Sequence, residues 1–257
     1  MQPSSNYFYL FFEFTNGTDL ENLKNARKRF SEQEAWLILK QLISAFQQLY
    51  ERQIIHRDLK LANVLIHFPE IPVEIPEECH DDMSARLEYL KSFLGQVDLF
   101  NTEFEVKLAD FGFAKQVQDM ANTILGSRLF MAPEIMKGKA YNNQVDVWSL
   151  GVVFFEMLTG YTPFTGEDEM DLQNKIEKGV YRISKSLKLS LRGFTFLNGC
   201  LQYDSNKRLN WDQIFKHEFW KQMPGTEEEL YLSFSEVTGH FLLEQSQDEL
   251  ESSMTNS

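Results

Sequence analysis

"IIHRDLKLANVLIHF", residues 54 to 68, places an acid and an amide on a polar loop between two apolar runs. The acid is Asp58, and the amide is Asn63, which lies where the loop enters the strand-like run 63–68. Apolar runs on both sides anchor the ends of such a loop in a core and hold its side chains in place. The stretch therefore predicts a rigid loop that carries chemistry.

Further motifs follow this loop in a fixed order. The run 106–111, "VKLADF", has the composition of a second strand and leads into "ADFG" with Asp110, and "APE" follows at 132–134. Next comes "VDVWSLGVVFFEMLTG" (145–160), which is apolar on all sides and predicts a helix buried at the centre of the molecule. The short motifs arise often by chance, but their conjunction in this order is specific.

In these motifs the sequence resembles the eukaryotic protein kinases, over roughly residues 6–222. The stretches "KLADFGFAKQV" and "KRLNWDQIFKHEF" are most similar to the autophagy-initiating ULK-type branch of the serine/threonine kinases. The resemblance implies an α+β, protein-kinase-like fold, with a mainly helical large lobe and only a remnant of the antiparallel small-lobe sheet. It also implies transfer of the γ-phosphate of ATP, with Mg²⁺, to Ser or Thr hydroxyls of a protein substrate.

Phosphoryl transfer requires an aligned acceptor hydroxyl and neutralised phosphate charge, and four residues match these needs. Asp58 is expected to accept the hydroxyl proton and orient the acceptor. Asn63 and Asp110 are expected to bind Mg²⁺ through oxygen, the ligand atom that this hard cation prefers. Lys60 is expected to reach the transferring phosphoryl group, and a Lys at this place in the family favours Ser and Thr acceptors over Tyr.

The resemblance also assigns residues to the nucleotide. The set comprises Phe12, Glu13, Thr15, Asp19, Leu65 and Ala109. The backbone of Glu13 and Thr15 would meet adenine, with Phe12 behind it, Asp19 near the ribose and Leu65 as the floor. Plain core packing stays open for Phe12 and Leu65, and a helix cap stays open for Asp19.

A third set is expected to support the site without taking part in the reaction. It consists of His56, Phe111, Glu134, Asp146 and Arg208. Asp146 should cap the buried helix and hold the backbone of the catalytic loop, and Arg208 should pair with Glu134.

Regulation is expected in the segment between Asp110 and Glu134. Thr123 matches the phosphorylated position of the family, and Arg57 would receive its phosphate through charge-assisted hydrogen bonds. Ser127 matches the family residue that contacts the catalytic Asp and Lys. Arg128 stands where the family usually has Pro, so the shape of the peptide-docking surface is expected to differ there.

Composition excludes several other classes of protein. The net charge of −13 is concentrated in residues 69–105, with ten acids and two bases, and in residues 222–257, with eight acids and no base. No basic stripe remains for nucleic acid, no apolar run is long enough for a bilayer, and no signal peptide is expected. Cys79 and Cys200 lack metal-binding or disulfide spacing, which favours a reducing, cytoplasmic location.

The predicted organisation is a small-lobe remnant and hinge (1–20), a large lobe (21–222) with an acidic insertion (69–105), and an acidic, mobile tail (223–257). A capping box at Ser31 and Glu34 predicts a helix that ends near Arg52. Other predicted elements are a strand at 7–14, a short helix in the insertion between Asp81 or Asp82 and Gly95, helices at 167–178, 187–202 and 211–219, and a helical stretch near 227–243.

The sequence contains no G-x-G-x-x-G ahead of the hinge, and its first Lys is Lys24. The phosphate-covering loop, the strand Lys and the helical Glu of the family are therefore not matched, and a large loss of rate is expected without them. Two interpretations stay open: a truncated copy of a full kinase, and a kinase-derived scaffold that binds partners without transferring phosphate. The intact magnesium ligands and the unpaired aromatic strand favour truncation. A nucleotide hydrolase of the P-loop type is not supported, because G-x-x-x-x-G-K-[ST] is absent.

Overall fold

The computed structural model describes residues 2–3, 8–70, 83–114, 128–179, 181, 183, 187–226 and 231–232. Asp81 and Asp82, predicted as helix caps, lie outside these residues, as do residues 233–257 of the predicted tail. Most of the described chain is helical, as the α+β prediction requires, and the strands are short.

Two helices with side-chain caps open the helical body. Helix α1 (Leu20–Arg27), which the sequence patterns did not predict, begins at Asp19, whose carboxylate accepts from the backbone N–H of Asn22 at 2.8 Å. Helix α2 (Glu32–Glu51) has the predicted capping box at Ser31. It ends at Glu51, next to the predicted end near Arg52, and the apolar residues that recur along it at helical spacing are buried, among them Ala35, Ile38, Leu39, Leu42 and Phe46.

Strands β3 (Val64–His67) and β4 (Glu105–Leu108) form the antiparallel pair that the two strand-like runs predict. Val64 lies opposite Leu108 in this hairpin. The connection contains the predicted helix, α3 (Met83–Gln96), although Gly95 lies inside its last turn rather than after it.

A short helix, α4 (Pro133–Met136), leads to the central helix, α5 (Gln144–Thr159). Every residue from 145 to 158 is buried, which confirms the predicted central helix. The helix ends at Gly160, whose φ of +87° suits glycine. The expectation that Asp146 caps this helix is wrong, because the N-cap residue is Asn143 and the Asp146 carboxylate binds elsewhere.

The predicted strand at 7–14 is wrong in extent. Within the described part of that run, strand β2 covers Phe8–Tyr9 and pairs with β1 (Gln2–Pro3). Residues 10–14 are described and are not part of a strand. The following aromatic residues lie on the surface: Phe11 is 80% exposed and Phe14 is 79% exposed.

The remaining elements are α6 (Glu169–Lys178), β5 (Leu189–Ser190), α7 (Leu191–Cys200), α8 (Trp211–Phe215), a 3₁₀ turn (Glu218–Trp220) and β6 (Tyr231–Leu232). Helices were predicted at 167–178, 187–202 and 211–219. The third ends earlier than predicted, at Phe215, and the second begins later than predicted, because residues 189–190 form a strand. Those two residues pair with β6, so the helical stretch predicted near 227–243 is wrong at residues 231–232. Among the described helices, none has the length and apolar composition to cross a bilayer.

Candidate active site

The loop that carries Asp58 is held by the residues that precede Asp58 and by those that follow it. Asp58 is only 8% exposed, and its neighbours Leu59 and Leu61 are buried in the core. The Asp146 carboxylate accepts from the backbone N–H of His56 at 2.8 Å and from that of Arg57 at 2.7 Å. Burial raises the pKa of Asp146 to about 6, although these two hydrogen bonds favour the ionised form. The central helix thus holds the loop backbone.

Asp58, Lys60 and Asn63 are in direct contact. Lys60 Nζ lies 2.7 Å from Asp58 Oδ2, and Asn63 Nδ2 donates to the same oxygen at 2.9 Å and to the Asp58 carbonyl at 2.7 Å. Because both side-chain contacts use Oδ2, the other carboxylate oxygen of Asp58 remains to accept a proton. The amide nitrogen of Asn63 faces Asp58, so its amide oxygen is directed elsewhere and can bind a cation.

The β3–β4 hairpin places Asn63 and Asp110 at one end. Asn63 precedes β3, and Asp110 follows β4 by two residues in the antiparallel pair. The Ala109 N–H donates to the Asn63 carbonyl at 2.8 Å, and His56 Nε2 lies 3.0 Å from the Ala109 carbonyl. Asp110 has a φ of +62° and Arg57 a φ of +70°, a left-handed conformation that costs energy for these residue types. Such strain is common where a backbone positions reacting groups.

The donor set fits magnesium better than a tightly caged metal. No cluster of three or more His, Cys, Asp or Glu side chains that could hold an ion occurs in the described part of the chain. Mg²⁺ does not require one, because it keeps several waters and shares phosphate oxygens with one or two protein ligands. The Asp110 carboxylate accepts from the Gly112 N–H at 3.1 Å through Oδ1, so Oδ2 can serve as a ligand together with the Asn63 oxygen.

The residues expected to meet the nucleotide lie on the segment before α1 and on the hairpin. Phe12 is 84% exposed, so plain core packing is wrong for this residue, whereas Leu65 is half-buried. Asp19 caps α1 and forms an isolated antiparallel bridge with Leu65. Thr15 is half-buried and lies along the chain between the exposed aromatic residues and Asp19.

Glu13 makes an ion pair with Lys107 of β4, a contact that the sequence did not predict. The hydrogen bond from Lys107 lowers the pKa of Glu13 and in turn raises the pKa of Lys107. Lys107 lies opposite Leu65 in the hairpin, so the ion pair holds Glu13 at the part of the hairpin that contains Leu65. A lysine within the strand-like run 106–111 was the only sequence signal for this contact.

The supporting residues surround the catalytic loop. The Glu134 carboxylate binds the Arg208 guanidinium through two contacts of 2.8 and 3.1 Å, as expected for this pair. His56 is fully buried, which lowers the pKa of its ring. The Phe111 ring packs edge-on against His56 at 5.2 Å between centroids and is 47% exposed.

Thr123 and Ser127, the predicted regulatory residues, lie outside the described residues. The Arg57 guanidinium donates to the Tyr141 hydroxyl at 3.1 Å and to the Phe113 carbonyl. It lines a cavity of about 470 Å³ that also contains Lys139 and Tyr141. Arg128 pairs with Glu169 of α6, which ties the end of the segment before α4 to that helix.

Comparison with known proteins identifies the family. The model of the protein kinase domain matches residues 1–220. Human serine/threonine-protein kinase ULK1 is 32% identical over 228 residues, which cover 87% of this chain and 19% of the relative. Dictyostelium discoideum serine/threonine-protein kinase atg1 is 27% identical, covering 83% and 27%. Rat serine/threonine-protein kinase ULK3 is 32% identical, covering 84% and 40%.

The fold and these matches define a protein kinase domain: the chain belongs to the protein kinase family. Its similarity to ULK-type serine/threonine kinases confirms the resemblance inferred from the motifs. The chain spans less than half the length of these relatives.

Proposed function

We propose that the chain transfers the γ-phosphate of ATP to Ser or Thr hydroxyls of a protein substrate. The observation that carries the proposal is the direct contact of Asp58 with Asn63 at the end of the hairpin that also bears Asp110. Such an arrangement brings a proton acceptor and two residues with oxygen ligands to one end of the hairpin, which is what phosphoryl transfer requires of a protein.

Each residue has a distinct task in this proposal. Asp58 accepts the proton of the substrate hydroxyl, and Lys60 offsets negative charge beside it. Asn63 and Asp110 bind Mg²⁺, which supplies charge neutralisation at the phosphates. The backbone of Glu13 and Thr15 binds adenine.

The proposal includes regulation through Thr123. Phosphate on Thr123 would pair with Arg57, and the cationic cavity that Arg57 and Lys139 line supports this. Ser127 would contact Asp58 and Lys60. A Thr123→Ala variant is expected to lose activation, and unchanged transfer would contradict this part of the proposal. A role in autophagy is proposed from the similarity to ULK-type kinases. A cytoplasmic location is proposed from the cysteine spacing.

A binding function without transfer is the second candidate. It is favoured by the exposed side chains of Phe11, Phe12 and Phe14, which present apolar surface to a partner. This candidate predicts neither phosphate transfer nor stabilisation by Mg²⁺ and ATP.

Paired measurements of nucleotide binding and phosphate transfer test the proposal. With Mg²⁺ and ATP at 100 times the dissociation constant, the free energy of unfolding should rise by about 2.7 kcal/mol. Asp58→Asn should keep this stabilisation but lower kcat for a Ser/Thr substrate by roughly 10²–10⁴-fold, because the proton acceptor is removed. Asp212→Asn, which changes an exposed acid on α8, is the matched control and should leave both unchanged. Absence of stabilisation and transfer in the unaltered chain favours the binding function.

A further inference from the structure

The segment 16–19 lies along β3 as an additional, irregular strand. The Ile66 N–H donates to the Thr18 carbonyl at 2.7 Å, and Asp19 forms an antiparallel bridge with Leu65. These contacts join the segment expected to meet adenine and ribose to the hairpin that bears Asn63 and Asp110.

Asn16 extends this pairing with its side chain. Its Nδ2 donates to the Phe68 carbonyl at 2.7 Å, and its Oδ1 accepts from the Phe68 N–H at 2.8 Å. The backbone N–H of Asn16 also donates to His67 Nδ1 at 3.3 Å. The side-chain amide therefore takes the place of a backbone amide and satisfies both polar groups of Phe68.

Two further features hold this segment against the hairpin: the close backbone approach at Gly17 and the ion pair of Glu13. A Cβ atom at Gly17 would lie 2.1 Å from the Ile66 carbonyl oxygen, so only glycine permits this spacing. On the other side of Asn16, Glu13 is held by Lys107 of β4. The backbone from Glu13 to Asp19 is thus attached to the hairpin at both ends and in the middle.

We infer that Asn16 is a positioning residue for the nucleotide, an inference that rests on the proposed function. ATP must contact the backbone of Glu13 and Thr15 through adenine, and Asn63 and Asp110 through its metal-bound phosphates. These residues belong to separate stretches of chain, and a ligand that spans them gains affinity only if their separation is fixed in advance. The Asn16 amide fixes it, and the Lys107 contact with Glu13 contributes in the same way.

A comparison of ATP binding with adenosine binding distinguishes this positioning role from a local contribution to the adenine site. In Asn16→Ala, the affinity for ATP with Mg²⁺ should fall about tenfold, whereas the affinity for adenosine should stay within about twofold. Adenosine does not reach the metal site, and Leu65, the hairpin residue expected beneath adenine, is paired directly with Asp19 rather than through Asn16. Lys107→Met should show a smaller change of the same pattern, and it remains informative if Asn16→Ala does not fold.

The matched control is Asn101→Ala, which removes a similar hydrogen bond, 2.7 Å long, to Asp98 in an exposed loop. It should leave both affinities unchanged. Equal weakening of ATP and adenosine, or no weakening of ATP in either variant, overturns the inference while the proposed function stands. An unaltered chain that binds neither ligand overturns the proposed function and this inference with it.

Discussion

Arg208 shows how much a single buried charge contributes to this domain. Its side chain is 0% exposed, and besides Glu134 it donates to the carbonyls of Gln144 at 2.8 Å and Gln202 at 3.1 Å. One guanidinium therefore connects α4, the start of the central helix and the loop after α7.

Arg208→Met should lower the free energy of unfolding by about 3–5 kcal/mol, because it leaves the Glu134 carboxylate buried without its partner. Urea unfolding of both proteins measures the difference. Lys175→Met, which breaks an exposed ion pair with Asp171 on α6, is the comparison and should leave the unfolding curve unchanged. An equal decrease in the free energy of unfolding in the two variants would mean that burial does not determine how much the loss of an ion pair destabilises the protein.

His56 predicts a specific dependence of stability on pH. Its folded-state pKa lies below its unfolded value of about 6.5, so the unfolded state binds the proton more readily. Stability is therefore fully present above pH 6.5 and falls as the pH decreases below it, by at most about 1.4 kcal/mol per pH unit. His56→Asn should flatten this decline in urea unfolding measured between pH 8 and pH 6.

Two other groups bear on that measurement. His217 also has a lowered pKa through burial, so His217→Asn removes a second part of the decline. Asp146, whose pKa is raised to about 6, acts in the opposite direction as the pH approaches 6, so each variant is compared with the unaltered protein, which contains the same Asp146. A decline that persists unchanged in the double variant would contradict the assignment to these histidines.

At the scale of elements, the close packing of α5 on α7 depends on a helical glycine. A Cβ atom at Gly151 would lie 2.7 Å from the Cβ atom of Cys200 and 2.9 Å from a methyl carbon of Leu201. Gly151→Ala should therefore destabilise the protein by about 1–3 kcal/mol, despite the better helix propensity of alanine. Gly95→Ala in α3, where the nearest atom is 3.7 Å away, should be neutral or slightly stabilising in the same thermal unfolding experiment.

The elements that were predictable carry their own local signals. A capping box and apolar residues at helical spacing identify α2, and apolar residues on all sides identify α5. Helix α1 was missed because "LENLKNAR" has few apolar residues, and its Asp19 cap had two interpretations. The strand at 7–14 was overestimated because β propensity does not reveal whether a partner strand is present.

Within the site, contacts inside one motif could be predicted from the residues themselves, whereas a distant pair such as Glu134 and Arg208 was predictable only through the resemblance to a family. Asp58, Lys60 and Asn63 lie within six residues, and their motif alone indicated a shared role. Glu13 and Lys107 are separated by 94 positions, and the Asn16 contact with Phe68 spans 52. Such contacts depend on how the folded segments approach one another, which single-sequence patterns do not encode.

Across the whole molecule, the aromatic residues of the hinge form the main exposed apolar surface among the described residues. Phe11, Phe12 and Phe14 are each about four-fifths exposed, and Leu10 is 58% exposed. Large apolar side chains exposed in one short segment promote association with other surfaces.

The double change Phe11→Ser and Phe14→Ser should reduce self-association and binding of a hydrophobic dye, with little change in the unfolding temperature, because neither side chain is packed in the core. Light scattering and dye fluorescence measure the first two quantities. A fall in unfolding temperature as large as that of Gly151→Ala would show that these side chains are packed after all.

The Asp146 carboxylate joins the loop of Asp58 to the most deeply buried helix of the domain, not to a neighbouring surface segment. The loop of Asp58 therefore does not unfold separately. Its geometry persists while the core is folded and is lost when the core unfolds. Heat inactivation of such a domain would be abrupt, without a warm interval in which a folded molecule has already lost its proton acceptor.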